Sequence, residues 1–154
     1  MGTKRLNYFS TSPRAMKILL DQESYLRQQF SETEVLTTTI WELVKFRVSQ
    51  INQCAYCIDM HSKDALKQGE SAERLYGLSA WREMPFYSER EREALEWAEL
   101  VTSGQPVSDA SYQHGLSIFG EQGLLDLTLA VNAINSWNRI GKTFKPEVGI
   151  YTPS

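Results

Sequence analysis

The sequence is poor in cysteine and histidine, with two of each, and it contains no long hydrophobic run. Two cysteines cannot build the disulfide framework of a small secreted domain. No stretch approaches the ~20 consecutive apolar residues of a membrane span, so no membrane partner is expected. Positive charge is not in excess either. Sixteen Lys and Arg stand against 19 Asp and Glu, for a net charge of −3, which leaves no electrostatic footprint for nucleic acid. The opening residues MGTKRLNYFSTSPR have neither the apolar h-region nor the small-residue cleavage site of a secretory signal. Leu6 occupies the position where the myristoylation pattern wants Ser or Thr. The expectation is a soluble, cytoplasmic protein in a reducing compartment. There, a Cys-x-x-Cys is more often catalytic or metal-binding than structural.

What is present is ordinary globular material. The 154 residues are 42% hydrophobic and 23% charged, and they read as a single domain over 1–154. A chain of this length buries roughly 70% of the surface its unfolded form exposes, so its core needs no staples.

Apolar residues recur at helical spacing along most of the chain. Ser12-Pro13 opens a helix to about Gln29, with Pro13 at the first helical position. Ser31-Glu32-Thr33-Glu34 reads as a capping box opening a long helix through Leu36, Ile40, Leu43, Val44 and on to Ile51. Asn52-Gln53 marks a break. A helix then runs from Cys54 to a stop at Gly69, and Ser71 starts a short one ended by Pro85. Ser88-Glu89-Arg90-Glu91 is a second capping box, whose helix stops at Gly104 and Pro106. Ser108 or Asp109 caps a helix to about Phe119. The last helix runs from about Gln122 to Ile140, with Gly141 as its stop. The expected fold is therefore all-α: a compact bundle of about seven helices, without tandem repeats.

One segment carries chemistry: Asn52-Gln53-Cys54-Ala55-Tyr56-Cys57-Ile58-Asp59-Met60-His61. Residues three and four apart are neighbours on a helix, so Cys54, Cys57 and His61 line one stripe. The break before Cys54 puts it near a helix N-terminus, where unsatisfied amides favour a thiolate. His61 can take a proton from Cys57 or stabilise its anion. A c-type haem site needs His directly after the second Cys, where Ile58 stands. A thioredoxin-type site needs a preceding strand in a βαβ pattern, which the sequence lacks. Structural zinc needs four ligands, and the segment supplies three, with Asp59 or a remote carboxylate to complete the set. Two buried core cysteines are the remaining alternative. A helical dithiol redox site accounts best for the spacing of the two cysteines and the His one turn on.

The segment resembles the alkylhydroperoxidase D-like, carboxymuconolactone decarboxylase superfamily. The match is carried by Glu42, Cys54, Cys57 and His61, with Glu42 twelve residues before the pair. It is extended by Arg47-Val48-Ser49-Gln50-Ile51-Asn52, Leu75-Tyr76-Gly77-Leu78 and Trp81-Arg82-Glu83, and is close over about residues 35–102. The resemblance implies a thiol-dependent hydroperoxidase, an antioxidant enzyme with no cofactor. Cys57 would attack the peroxide and become a sulfenic acid, and Cys54 would condense with it to a disulfide. Glu42 and His61 would relay the proton that activates Cys57. The implied partners are a hydroperoxide substrate, a thiol or dithiol reductant and further copies of the chain, as a trimer or hexamer. A helix N-terminus by itself favours Cys54 as the more acidic thiol, whereas His61 favours Cys57. The best-characterised members carry a second His between the cysteines, where this chain has Tyr56, and a phenol is a poor base at neutral pH. Two other readings stay open: a non-catalytic thiol redox sensor, and a lyase of the decarboxylase branch, which generally lacks the cysteine pair.

Without the resemblance, Glu42 reads as a solvated edge residue. Asp59 and Asp64 read as solvated, and His114 as a surface or satisfied histidine. Trp41, Trp81, Trp97 and Trp137 read as core, some of them with Phe86 and Tyr87 available to line a pocket. The stretch from Glu34 to Ile51 is apolar on more than one face, which suggests burial against a neighbouring subunit.

Overall fold

A computed structural model describes residues 2–154. Helices α1 (Tyr8–Thr11), α2 (Pro13–Glu32), α3 (Thr38–Ile51) and α4 (Ala55–Lys67) are followed by α5 (Ala72–Gly77) and a 3₁₀ turn at Leu78–Ala80. Helices α6 (Glu89–Ser103) and α7 (Asp109–Phe144) follow, then an irregular segment to Ser154, and there is no strand among the described residues. The all-α reading therefore holds.

Helix α3 is the hub. It packs on α2, α4, α6 and α7 of its own chain. That intramolecular burial accounts for its all-round apolar character, which the sequence reading ascribed to a neighbouring subunit. Leu26, Phe30, Trp41, Val44 and Val48 meet Leu127, Val131 and Ile134 in one core cluster, with Phe30 stacked on Trp41 at 5.6 Å. A second cluster gathers Leu43, Phe46, Leu75, Leu78, Trp81 and Tyr87. Each fully buried side chain of this size contributes about 1.5–3 kcal/mol.

The capping box read at Ser31 is not one. Ser31 lies in the last turn of α2, where its hydroxyl donates to the Gln28 carbonyl at 3.1 Å. The chain turns extended at Thr33, and Thr37 caps α3 by accepting from the Ile40 amide at 3.2 Å. The later start wins because Leu36 and Trp41 then flank the cap from within one core cluster, as in a hydrophobic staple. The second box, Ser88 with Glu91, is present in full, and α6 stops at left-handed Gly104.

Gly120 (φ 71°, ψ 175°) interrupts α7 where the sequence suggested two helices. Gly141 does not stop the helix, which continues to Phe144. A glycine is needed at 141 for close approach: a Cβ there would lie 2.9 Å from Cys54 Sγ. Helix α1, unforeseen from sequence, forms because the Asn7 side chain accepts from the Phe9 and Ser10 amides. Buried Asp126 ties α2 to α7 by accepting from Tyr25, Gln29 and Gln122 at 2.7, 2.9 and 3.0 Å.

Asp59 and Asp64 are not simply solvated. The Asp59 carboxylate accepts from Lys63 at 2.9 Å and from the Gly149 amide at 3.2 Å. Asp64 accepts from the Tyr151 hydroxyl at 2.7 Å, and Lys63 donates to the Tyr151 carbonyl at 3.0 Å. Together they clasp the C-terminal segment onto α4. No helix among the described residues is long and apolar enough to cross a membrane.

Candidate active site

The position of Cys54 follows from how α3 ends. Asn52 is the C-cap, and Gln53 adopts the left-handed conformation (φ 54°). The Gln53 amide bonds the Gln50 carbonyl, and the Cys54 amide bonds the Ser49 carbonyl, both at 3.1 Å. That pair of bonds is a Schellman motif with Gln in the place usually taken by Gly. Cys54 is thus the last residue of one helix end and the N-cap of the next, where its sulfur accepts from the Cys57 amide at 3.4 Å. Cys54 and Cys57 are joined as a disulfide, with Cα atoms 5.3 Å apart.

A polar network fixes this corner against α7. The Asn52 side-chain amide donates to Asn135 at 2.8 Å and to Asn138 at 3.0 Å. Asn138, fully buried, donates to the Ser49 hydroxyl at 3.0 Å, and Ser49 donates to the Lys45 carbonyl at 2.7 Å. Each member is satisfied, so the network rigidifies the corner and leaves none of its own groups orphaned.

Glu42 and His61 come together between α3 and α4. Both are buried, at 4% and 6% exposure, from α3 and α4. Glu42 Oε1 accepts from Lys45 Nζ at 2.7 Å, and Lys45 lies over the Trp41 ring at 3.7 Å. Glu42 Oε2 and His61 Nδ1 face each other at 4.0 Å, and both are buried without a hydrogen-bond partner. Burial, with the Lys45 charge as a second cause, holds the His61 imidazole well below its ordinary titration range, so it is neutral at pH 7.

The two sulfurs open onto different cavities. Cys57 lines a cavity of about 220 Å³ together with His61, Lys45, Glu23, Tyr8 and Trp137. Its remaining wall is apolar, with Phe9, Leu20, Met60 and Ile134. Cys54 lines a second cavity of about 290 Å³ with Gln53, Tyr56, Lys142 and Lys145. Tyr56 lies between the two and borders both.

The four residues singled out in the sequence are therefore linked in series: Cys54 is bonded to Cys57, Cys57 shares a cavity with His61, and His61 faces Glu42. Lys45 was missed, although Glu-x-x-Lys spacing was visible. Such a pair is ordinarily a solvated helix contact. Glu23 was also missed. It reaches the cavity from α2, and its Oε1 accepts from Trp137 Nε1 at 3.0 Å. No local pattern signals a contact made by tertiary packing. Trp137 lines the cavity, whereas Trp41, Trp81 and Trp97 are core. His114 lies apart, 3.1 Å from Glu93. Among the described residues no three His, Cys, Asp or Glu side chains converge as a metal-ligand set.

Comparison with known proteins follows the same lines. The uncharacterized protein YdfG of Bacillus subtilis (strain 168) is 44% identical over 140 residues, 90% of this chain and 92% of that protein. A crystal structure from Agrobacterium tumefaciens, a protein of unknown function proposed as the antioxidant defence protein AhpD, superposes with a TM-score of 0.84. It is 34% identical and covers 97% of this chain and 100% of its own. A peroxidase-related protein from Silicibacter sp. TM1040 shares the fold, with a TM-score of 0.76 at 19% identity over 87% of this chain and 70% of that one. Residues 23–100 match the model of the carboxymuconolactone decarboxylase family. With the helical architecture and the Cys54–Cys57 pair in place, the chain belongs to the alkylhydroperoxidase D-like, carboxymuconolactone decarboxylase superfamily.

Proposed function

We propose that the protein is a thiol-dependent hydroperoxidase in which Cys57 is the attacking sulfur and Cys54 the resolving one. The observation that carries this reading is the division of the two cavities. Cys57 shares its cavity with a buried, neutral histidine, and Cys54 does not. A neutral imidazole one helical turn from Cys57 can accept the thiol proton, and Glu42 stands behind Nδ1 to stabilise the imidazolium that forms. Either side chain needs to move only about 1 Å to close the gap to hydrogen-bond distance.

The thiolate of Cys57 then attacks the outer peroxide oxygen. The S–O bond forms, the O–O bond breaks and an alcohol leaves. The Cys54 thiol displaces hydroxide from the sulfenic acid, which leaves as water, and the disulfide closes. An external thiol or dithiol, entering by the cavity that Cys54 lines, reduces it again. Lys45 acts as a positioning residue, since it holds the Glu42 carboxylate and keeps the opposing oxygen turned to His61. Tyr56, where better-characterised relatives have a second His, contributes a wall and no base.

The experiment is a count of free thiols in the reduced protein before and after one equivalent of tert-butyl hydroperoxide, repeated with excess dithiothreitol. Loss of two thiols with catalytic consumption of peroxide supports the enzyme. Stoichiometric oxidation without turnover favours the redox-sensor reading. No loss of thiol at all leaves only a role without redox chemistry, such as the decarboxylase branch. We further propose a homo-oligomer, trimer or hexamer. Sedimentation of a folded monomer at micromolar concentration contradicts that.

A further inference from the structure

We infer that Glu23 is the general acid of the site, the group that protonates the leaving oxygen of the peroxide; this rests on the peroxidase reading above. The relay of Glu42 and His61 accounts for the proton that leaves Cys57. In an in-line displacement the departing oxygen lies on the far side of the attacked oxygen from Cys57, so a second proton donor on the cavity wall serves it more directly than the imidazolium formed at His61. Glu23 is the carboxyl group that the relay leaves unused, and it borders the same 220 Å³ cavity as Cys57. A peroxide bound against Cys57 in a cavity of this size has the other lining side chains, Glu23 among them, around it.

The two carboxyl groups have contrasting surroundings. Glu42 is held by an ammonium, Lys45, at 2.7 Å. Glu23 is held by a neutral donor, the Trp137 indole, at 3.0 Å, and its other oxygen makes no hydrogen bond to the described residues. Burial pushes the Glu23 carboxyl upward, against the lowering effect of Lys45, the Trp137 hydrogen bond and Arg27. A pair of carboxyl groups in unlike environments is the usual basis for dividing acid and base roles. The backbone supports the placement. The Asp126 network locks α2 to α7, and α7 also carries Trp137, whose carbonyl lies 4.0 Å from Cys57 Sγ. Glu23 and Cys57 are thereby referred to the same residue of α7.

The step balances. The electron pair of the Cys57 thiolate forms the S–O bond, and the O–O pair goes to the departing oxygen. That oxygen takes the Glu23 proton and leaves as the alcohol. Lys45 and the indole N–H stabilise the Glu23 carboxylate until the proton that His61 took from Cys57 returns to it through solvent.

The test compares two oxidants whose leaving groups differ. tert-Butyl hydroperoxide releases an alkoxide, which needs a proton. Peracetic acid releases acetate, which needs none. For E23Q we expect kcat/KM to fall about 100-fold with tert-butyl hydroperoxide, within the range for loss of a general acid, and to stay within a fewfold of wild type with peracetic acid. E23D, which keeps a carboxyl group but withdraws it by one methylene, should recover part and not all of the loss. Equal losses on both oxidants, or no loss on either, overturn the inference while leaving the peroxidase reading intact. E23D as slow as E23Q also overturns it. A wild-type protein whose thiols resist both oxidants overturns both. Should E23Q fold poorly, judged by far-ultraviolet circular dichroism, the oxidant ratio measured on E23D decides alone: a ratio shifted toward peracetic acid is expected, and an unchanged ratio overturns the inference.

Discussion

Glu42 Oε2 and His61 Nδ1 face each other across 4.0 Å in the core, and each is buried without a hydrogen-bond partner. Buried polar atoms are rarely left so. An orphaned pair at this distance stores desolvation free energy that is released when a proton or a small movement joins the two. His61 also lines the cavity that Cys57 lines, which links the pair to the chemistry of that sulfur.

Lys45 offsets the cost of burying the Glu42 carboxylate. Lys45→Met removes the ammonium and leaves that carboxylate unpaired, with an expected destabilisation of about 3–5 kcal/mol. Glu42→Gln in the same chain should recover much of it, because the charge that Lys45 balances is then gone. Urea unfolding of the two single variants and the double variant checks this. Additive losses contradict the coupling.

His61 makes stability depend on pH. Its folded-state titration lies well below the ordinary value, so the unfolded chain binds the proton first as pH falls. Stability is full above about pH 6.5, declines as pH drops through that value, and levels only below the folded titration point. His61→Gln should flatten this part of the profile. Chemical denaturation between pH 5 and 7.5 on wild type and variant measures it, and equal slopes contradict it.

Gly141 is the contact between α7 and the disulfide. Gly141→Ala places a methyl group 2.9 Å from Cys54 Sγ and 3.4 Å from Cys57 Sγ, too close without displacement. Overpacking of this kind costs about 1–3 kcal/mol. The loss should be larger with the disulfide formed than with the thiols free and able to turn away. Melting curves of both redox forms test this.

Gln53 carries backbone strain at the helix junction. A non-glycine residue at φ 54° costs about 1–2 kcal/mol, part of which Gly avoids. Gln53→Gly is expected to stabilise the fold by about 0.5–1 kcal/mol with the Schellman hydrogen bonds intact. A lower midpoint in urea contradicts it.

Much of the site was legible because its signals are local. The Asn52-Gln53 break, the three- and four-residue steps from Cys54 to His61 and the stop at Gly69 all arise from hydrogen bonding within a few residues. Ser31 misled because its capping pattern competes with the burial of Leu36 and Trp41, which sets the start of α3. Gly141 misled for a related reason, since a glycine required by a neighbouring helix looks the same in sequence as one required by a turn. Glu23, Trp137 and the tail held by Asp59 and Asp64 left no local trace. Their contacts join residues 87 to 114 positions apart. Lys45 was visible as a spacing, but only packing shows that its ammonium is buried.

The measurement that bears most directly on the mechanism is capture of the sulfenic acid. Reduced Cys54→Ser protein is treated with one equivalent of hydroperoxide and a dimedone-type probe, and the labelled peptide is mapped. Label on Cys57, with His61→Gln in the same background slowing its appearance at least tenfold, is the expected result. No label on Cys57 in Cys54→Ser, together with label on Cys54 in Cys57→Ser and in wild type, contradicts the assignment of Cys57 as the attacking sulfur.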